Sequence, residues 1–258
     1  MFDNVCRYLA ERYSPDIASW LLGRPIIFTS LSPTELSLQP IRADSLILLE
    51  SEDLIFQIEF QTDPDGAIPF RLADYRLRGH RRYPNKEMRQ VVVYLRETNS
   101  PLVYQNTFEL SRTRHEFDVI RLWEEPAEQF LAAPGLLPFA ALARSGDREG
   151  VLRQVSQQVE AMSDTVRQSD IAASAGILAG LVLSKEAISE ILRSDIMKAS
   201  VIYQDIKQEG IQEGEQKGVQ ETTRKLALKM LENGIDVSQV VVITGLSLDQ
   251  VRSLQERR

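Results

Sequence analysis

The chain has 258 residues, 43% of them hydrophobic and 26% charged, with 37 acidic against 30 basic side chains and a formal net charge of −7. A chain of this size can bury a substantial core in one or two domains. The overall acidity excludes a broadly basic coat for nucleic acid, and the single cysteine, Cys6, excludes an internal disulfide and a Cys-rich zinc site. Residues 1–14 lack the pattern of a signal peptide, and the longest apolar stretch, 172–183, is too short to span a bilayer, so we expect a cytoplasmic protein.

The first half of the chain contains alternating helix and strand signals. Two short helices are predicted over residues 2–14 and 16–23, because Ser14-Pro15-Asp16 is typical of a helix start and Gly23 of a helix stop. The elements that follow are a strand near 35–39, two strands joined at Ser51-Glu52, a turn at 63–66, a helix over 68–83 and a buried strand over 90–95. This order predicts an α/β fold.

The two strands joined at Ser51-Glu52 form a predicted hairpin with a geometric consequence. If two residues close the turn, residue 50 pairs with 53, and Asp44 then stands directly opposite Glu59. Directly opposed residues have Cβ atoms about 4.5 to 5.5 Å apart. Two carboxylates at that distance repel each other unless a cation lies between them, and oxygen ligands favour a hard ion such as Mg²⁺. The hairpin therefore predicts a metal site.

The second strand of the hairpin alternates apolar and polar residues. Its apolar face is predicted to pack, and its polar face, with Gln57, Glu59 and Gln61, is predicted to be open for chemistry. A register slip of one residue would send Glu59 to the buried face. The alternative is an exposed hairpin whose carboxylates only meet solvent.

The predicted helix over 68–83 concentrates positive charge beside this hairpin. Five arginines against Asp74 give it a net charge of +4 in an acidic chain: Arg71, Arg76, Arg78, Arg81 and Arg82. Phosphate contacts by such side chains supply most of the non-specific affinity for nucleic acid. The alternative is a solvated basic face that pairs with nearby carboxylates.

Five stretches of the chain, together with the order of elements, resemble the Rpn-type recombination-promoting nucleases, a branch of the PD-(D/E)XK nuclease superfamily. The stretches are Leu9-Ala10-Glu11, Trp20-Leu21-Leu22-Gly23, Ile41-Arg42-Ala43-Asp44-Ser45, Ile58-Glu59-Phe60-Gln61-Thr62 and Pro69-Phe70-Arg71-Leu72-Ala73-Asp74-Tyr75. The likeness continues into Leu136-Leu137-Pro138-Phe139 and the helical region after it. The resemblance implies a restriction-endonuclease-like core of αβββαβ order, followed by a helical C-terminal region.

The resemblance also implies roles for individual residues. Asp44 takes the place of the metal-binding aspartate, Glu59 that of the acidic residue of the (D/E)XK element, and Glu11 that of a carboxylate on the first helix, with Asp3 as the alternative. The main-chain oxygen of Phe60 would complete the ligands of Mg²⁺ or Mn²⁺. Nucleic acid would contact the basic helix through Arg71, Arg78, Arg81 and Arg82.

Two positions depart from the superfamily pattern. Ala43 stands where the motif has proline, a residue that shapes the turn and binds nothing. Gln61 stands at the lysine position; an amide carries no charge and cannot act as a base, although it can orient water. The implied function is a metal-dependent DNA endonuclease linked to recombination or mobile elements. The alternative is a weakly active or inactive nucleic-acid-binding protein that retains the nuclease fold. Gln61 favours this alternative because it replaces the lysine of the motif.

Beyond residue 124 the spacing of apolar residues predicts helices near 124–132, 136–145, 147–168, 170–183 and 185–206. We expect four parts: a nuclease core over 1–123, a helical bundle over 124–206, a glycine-repeat helix or linker over 207–221, and a small three-helix module over 222–258. The repeat places glycine at 210, 214 and 218, which fits either a seam for self-association or a flexible linker.

The last module is predicted to have helix breaks at Asn233-Gly234 and Thr244-Gly245, and it contains the spacing of a helix-turn-helix around Gly245. Groove-reading helices usually carry several basic or amide residues. The final helix offers Gln250, Arg252 and Gln255 against Asp249 and Glu256. This balance favours a packing or protein-binding module over a base reader.

Overall fold

The computed structural model describes residues 2–31 and 46–256 of the chain. It divides into two compact units, Met1–Gln204 and Asp205–Arg258. The finer division of the chain at 123/124 and at 221/222 stays a prediction.

The first unit contains two β-sheets. Its strands are β1 (Thr29–Ser30), β2 (Leu46–Glu50), β3 (Leu54–Gln61), β4 (Glu87–Tyr94), β5 (Thr107–Leu110), β6 (Thr113–Glu116) and β7 (Asp118–Arg121). Five of them form a mixed sheet in the order β1-β2-β3-β4-β7, and β5 pairs with β6 in a separate ribbon. The first three strands are antiparallel, whereas β3, β4 and β7 run parallel. The strand expected near 35–39 lies outside the described residues.

Helices precede, connect and follow these strands. They are α1 (Phe2–Arg12), α2 (Ser14–Leu22), α3 (Ile68–Arg82), α4 (Ala127–Phe130), α5 (Arg148–Glu160), α6 (Thr165–Ala179), α7 (Lys185–Ile191) and α8 (Ser194–Lys198). Gly23 ends α2 in the left-handed conformation, with φ +74°, as its position predicts. Because β3 and β4 are parallel, the chain must cross between them, and α3 is that crossover.

The register of the β2–β3 hairpin differs from the prediction. Leu46, and not Asp44, stands opposite Glu59, and Glu50 pairs with Ile55. The turn is centred one residue later than predicted, at Glu52-Asp53, because Ser51 donates its N–H to the Leu54 carbonyl at 2.8 Å. The difference of two positions leaves the alternation of faces unchanged, since side chains alternate with a period of two. Asp44 itself lies outside the described residues.

Both faces of the mixed sheet are covered. On one face Leu48, Ile55 and Met88 form a buried cluster with Tyr75 of α3. On the other face Phe60 stacks on Phe139 with ring centroids 5.6 Å apart. The expectation of a polar, solvent-open face on β3 is therefore wrong, because α3 lies over that face. Such double coverage is the usual state of parallel strands.

Beyond residue 124 the first unit is helical, as predicted, with three local differences. The helix predicted over 185–206 is divided into α7, α8 and the start of a third helix at Val201. The predicted helix over 136–145 is a buried 3-10 helix, Pro134–Leu142, with Pro138 inside it. A proline lacks the N–H that a continuing α-helix requires. The predicted helices over 147–168 and 170–183 instead separate near Asp164, whose side chain accepts the N–H groups of Val166 and Arg167 and starts α6.

The second unit is built from three helices. They are α9 (Val201–Glu232), whose first four residues belong to the first unit, α10 (Val237–Thr244) and α11 (Leu248–Glu256). The breaks fall at Gly234 and Gly245, both with positive φ, as the sequence predicts. A buried cluster of Ala227, Met230, Val240 and Val251 joins the three helices. The glycine repeat lies within α9 and is helical.

The helices in residues 2–31 and 46–256 differ from membrane-spanning segments in length or in composition. None of the helices found there has the length and apolar character needed to cross a bilayer.

Candidate functional site

A row of polar side chains lies on β3, on the face beneath α3. Gln57 and Glu59 are fully buried in this row, and Gln61 follows at its end. The parallel pairing with β4 places Gln90 beside Gln57. Gln90 donates from Nε2 to the Gln57 Oε1 at 2.6 Å and to the main-chain oxygen of Leu72 at 2.8 Å. Buried amides thus join the sheet to α3 next to Glu59.

Glu59 is the central residue of the site, with only 1% of its side chain exposed. Its Oε1 accepts hydrogen bonds from Gln61 Nε2 at 2.9 Å and from the guanidinium of Arg71. Its Oε2 is buried and has no donor among the described residues. A buried carboxylate oxygen without a partner is costly for the fold and has the chemistry of a ligand to a hard cation. Glu59 therefore fits the role of a metal ligand.

Arg71 and Asp65 complete the cluster around Glu59. Arg71, on the first turn of α3, also pairs with Asp65, with Nη1 and Oδ2 separated by 2.5 Å. Asp65 lies in the turn after β3, and its other oxygen accepts the Ala67 N–H at 2.9 Å. The sequence predicted only a turn at 63–66 and did not identify Asp65 as a site residue. The available signal was a carboxylate six positions before an arginine at a helix start.

The electrostatics of the site reflect burial and the ion pairs. Burial raises the pKa of Glu59, although Arg71 opposes this effect. The Ala67 N–H and then Arg71 lower the pKa of Asp65. Burial, and after it the charge of Glu59, raises the pKa of Tyr75 and of Tyr94 to about 12. The Glu59 charge thus acts on both neighbouring tyrosines, and a cation at Glu59 would be favoured by the same field.

The other predicted ligands stand in different positions. Asp44 lies outside the described residues. Glu11 is exposed on α1 and accepts the hydroxyl of Ser30 at 3.1 Å. The ring of Phe60 lies on the opposite face of the sheet, so only its main-chain oxygen could serve. Over the ranges 2–31 and 46–256, no three His, Cys, Asp or Glu side chains gather closely enough to hold a metal ion. A metal site with Asp44 stays a prediction.

The arginines of α3 divide into two kinds. Arg71 pairs with the carboxylates of the site, Arg76 donates to the main-chain oxygen of Met88, and Arg78 pairs with Asp74 at 2.8 Å. The side chains of Arg81 and Arg82 are exposed at the end of the helix. The alternative of pairing with carboxylates therefore holds for Arg71 and Arg78, and the last turn keeps its positive charge at the surface.

The turn between α10 and α11 has the local structure of a capped helix start. Gln250 accepts the Ser247 N–H through Oε1 at 2.8 Å, and Ser247 accepts the Gln250 N–H through its hydroxyl at 3.2 Å. This reciprocal pair is a capping box. Gln250 is thus engaged in fixing the turn, and Arg252 is the exposed cation described on α11.

Comparison with known proteins bears on this three-helix unit. No curated protein and no solved structure matches the chain. A sequence model of the C-terminal HTH domain of the Rpn/YhgA-like nuclease family matches residues 220–256. The predicted helix-turn-helix spacing is thereby confirmed, and the α/β unit with its mixed sheet and helical C-terminal region is consistent with that family. The match supports membership of this chain in the Rpn-type family, as its sequence resemblance predicts.

Proposed function

We propose that the chain is a metal-dependent DNA endonuclease that hydrolyses phosphodiester bonds, acts in the cytoplasm and is linked to recombination or mobile-element activity. The family match supports a nuclease-related role. The observation that carries the proposal is Glu59, a buried carboxylate with one oxygen bonded by Gln61 and Arg71 and the other without a donor among the described residues.

The chain's own residues would divide the chemistry in the following way. Mg²⁺ or Mn²⁺, held by Asp44, Glu59 and the main-chain oxygen of Phe60, would supply an acidified water and neutralise charge on the phosphate. Gln61 holds the Glu59 Oε1 and so presents Oε2 for binding. The amide of Gln61 can also orient a water but cannot remove its proton. Glu11 is proposed as the additional carboxylate of the first helix.

The DNA contacts are proposed on two surfaces. Arg81 and Arg82 are exposed at the end of α3, and Arg78 precedes them by one turn. Side chains of this kind neutralise phosphates without reading sequence. The second surface is the C-terminal HTH domain, a motif that commonly places its second helix in the major groove.

Plasmid cleavage tests the proposal directly. The wild type is expected to nick supercoiled plasmid only with Mg²⁺ or Mn²⁺, whereas Asp44→Ala and Glu59→Ala should lose about 100-fold or more in rate, because several kcal/mol of charge stabilisation are removed. Glu149→Ala is the matched control, since Glu149 is a carboxylate on α5 that pairs with Arg153 at 2.9 Å. Metal-independent nicking, or full activity of Glu59→Ala, would contradict the proposal.

A second candidate function is a DNA-binding protein that retains the fold and cleaves poorly. Gln61 favours it, because the amide at the lysine position is already hydrogen-bonded to Glu59. DNA binding without cleavage by the wild type, unchanged by Glu59→Ala, is the result that this second function predicts.

A further inference from the structure

A single guanidinium spans two carboxylates at the site. Arg71 donates through Nη2 to Glu59 on β3 and through Nη1 to Asp65 in the following turn, at 2.5 Å for the second pair. The side chain of Glu59 is 1% exposed and that of Asp65 is 43% exposed, with Arg71 between them at 26%. Arg71 therefore connects the buried end of the site to its solvent-facing end.

The guanidinium of Arg71 already neutralises the carboxylate charge of Glu59 that a bound metal ion would otherwise neutralise. A divalent ion on Glu59 Oε2 would lie within a few ångströms of the guanidinium, because both oxygens belong to one carboxyl group. Like charges at that separation repel strongly in a buried environment. A metal at Glu59 and the closed Arg71–Glu59 pair therefore oppose each other.

The ion pair with Asp65 limits how far the Arg71 side chain can move once its contact with Glu59 is broken. Asp65 is fixed by the Ala67 N–H at 2.9 Å, so it anchors the guanidinium at the solvent-facing end. The planar fork of an arginine suits the oxygens of a phosphodiester, which it can bind through two parallel hydrogen bonds. A phosphodiester approaching Glu59 would meet the released fork there.

We propose that Arg71 is a latch that closes on Glu59 and moves to the substrate phosphodiester when a divalent ion binds. The latch rests on the proposed function, because it requires Glu59 to be a metal ligand. It makes metal and phosphodiester binding cooperative. Each ligand favours the position of Arg71 away from Glu59, and so reduces the free energy that the other ligand must spend to break the Arg71–Glu59 contact.

Calorimetric titration of the full-length, metal-free protein with Mn²⁺ tests the latch without measuring cleavage. Arg71→Met should bind Mn²⁺ about fivefold or more tightly than the wild type, because the opposing charge is gone. Arg153→Met removes the same charge on α5 and should leave Mn²⁺ affinity unchanged. Glu59→Gln should abolish the site.

The same titration with dimethyl phosphate present tests the second half of the latch. This phosphodiester should strengthen Mn²⁺ binding to the wild type by about fivefold or more, within the usual range of coupling between sites. The effect should disappear in Arg71→Met. Unchanged or weaker Mn²⁺ binding by Arg71→Met, or coupling that persists in it, overturns the latch.

Failure of the latch and failure of the proposed function give different results. Mn²⁺ binding that depends on Glu59 but not on Arg71 removes the latch and keeps the metal site. No Mn²⁺ binding by the wild type, or equal binding by Glu59→Gln, removes both. If Arg71→Met does not fold, Arg71→Gln replaces it: the amide carries no charge, so tighter Mn²⁺ binding is again expected, and wild-type affinity overturns the latch.

Discussion

At the scale of single residues, Glu59, the proposed metal ligand, has a cost to the fold. Its pKa is raised by burial, so the folded state disfavours the charged carboxylate more than the unfolded state does. A raised folded-state pKa contributes stability that is present below the unfolded-state pKa and is lost as pH rises through the folded-state value. Above the unfolded-state pKa, Glu59 therefore reduces the free energy of unfolding.

Glu59→Gln is expected to stabilise the metal-free protein at pH 7. The gain should be about 0.5–2 kcal/mol, the usual scale for removing a destabilising feature of a functional site. Arg71 keeps Asp65 as its partner in this variant. At about pH 3.5, below the ordinary pKa of glutamate, the two proteins should differ little, because Glu59 is then protonated in both states. Urea unfolding at the two pH values measures this, and a less stable Glu59→Gln at pH 7 would contradict it.

At the scale of elements, the buried 3-10 helix Pro134–Leu142 fixes the N-terminal helices to the rest of the first unit. Gly135 donates its N–H to Asp16 of α2 at 2.9 Å, across 119 positions of sequence. A Cβ atom built on Gly135 would stand 2.3 Å from the Cβ of Tyr13. The backbone at Gly135 lies against the side chain of Tyr13 more closely than a Cβ allows, which is the reason for glycine at this position.

Gly135→Ala is expected to lower the free energy of unfolding by about 1–3 kcal/mol, the usual cost of forcing extra atoms into a packed contact. Gly146→Ala is the matched control, because a Cβ there meets no atom within 4 Å in the described part of the chain. Chemical denaturation of the two variants beside the wild type gives the comparison. Equal stability of Gly135→Ala and Gly146→Ala would show that the contact relaxes without penalty.

At the scale of the whole molecule, the glycine repeat gives α9 an unusual surface. Gly210, Gly214 and Gly218 are exposed, and a Cβ at each would meet nothing within 4 Å among the described atoms. Each glycine costs an isolated helix about 0.8–1 kcal/mol relative to alanine. The row therefore weakens α9 unless another helix approaches it closely, and self-association through this row stays a prediction.

Gly214→Glu is expected to reduce the molecular mass of the protein in solution, because it places a charged side chain in the row. Gln212→Glu is the control; it adds the same charge about 200° around the helix by its 3.6-residue period. Sedimentation or light scattering of these variants, and of a chain ending at Lys207, measures the mass. If all of them keep the wild-type number of subunits, the row does not mediate self-association.

The sequence by itself determined the features that depend on neighbouring residues. Gly23, Gly234 and Gly245 ended helices where expected, because a positive φ is a local property. The alternation along β3 fixed which residues share a face with Glu59, since a strand has a period of two wherever it lies.

Only the tertiary structure decided what those faces contact. The connection after β2 set Leu46 opposite Glu59, and the α3 crossover buried the polar face that the sequence predicted to be open. The same crossover brought Arg71 onto Glu59, so a residue assigned to nucleic acid by its charge became the partner of the carboxylate. Register, burial and ion pairing join segments that are distant in the chain, and their energies depend on packing that local pattern does not contain.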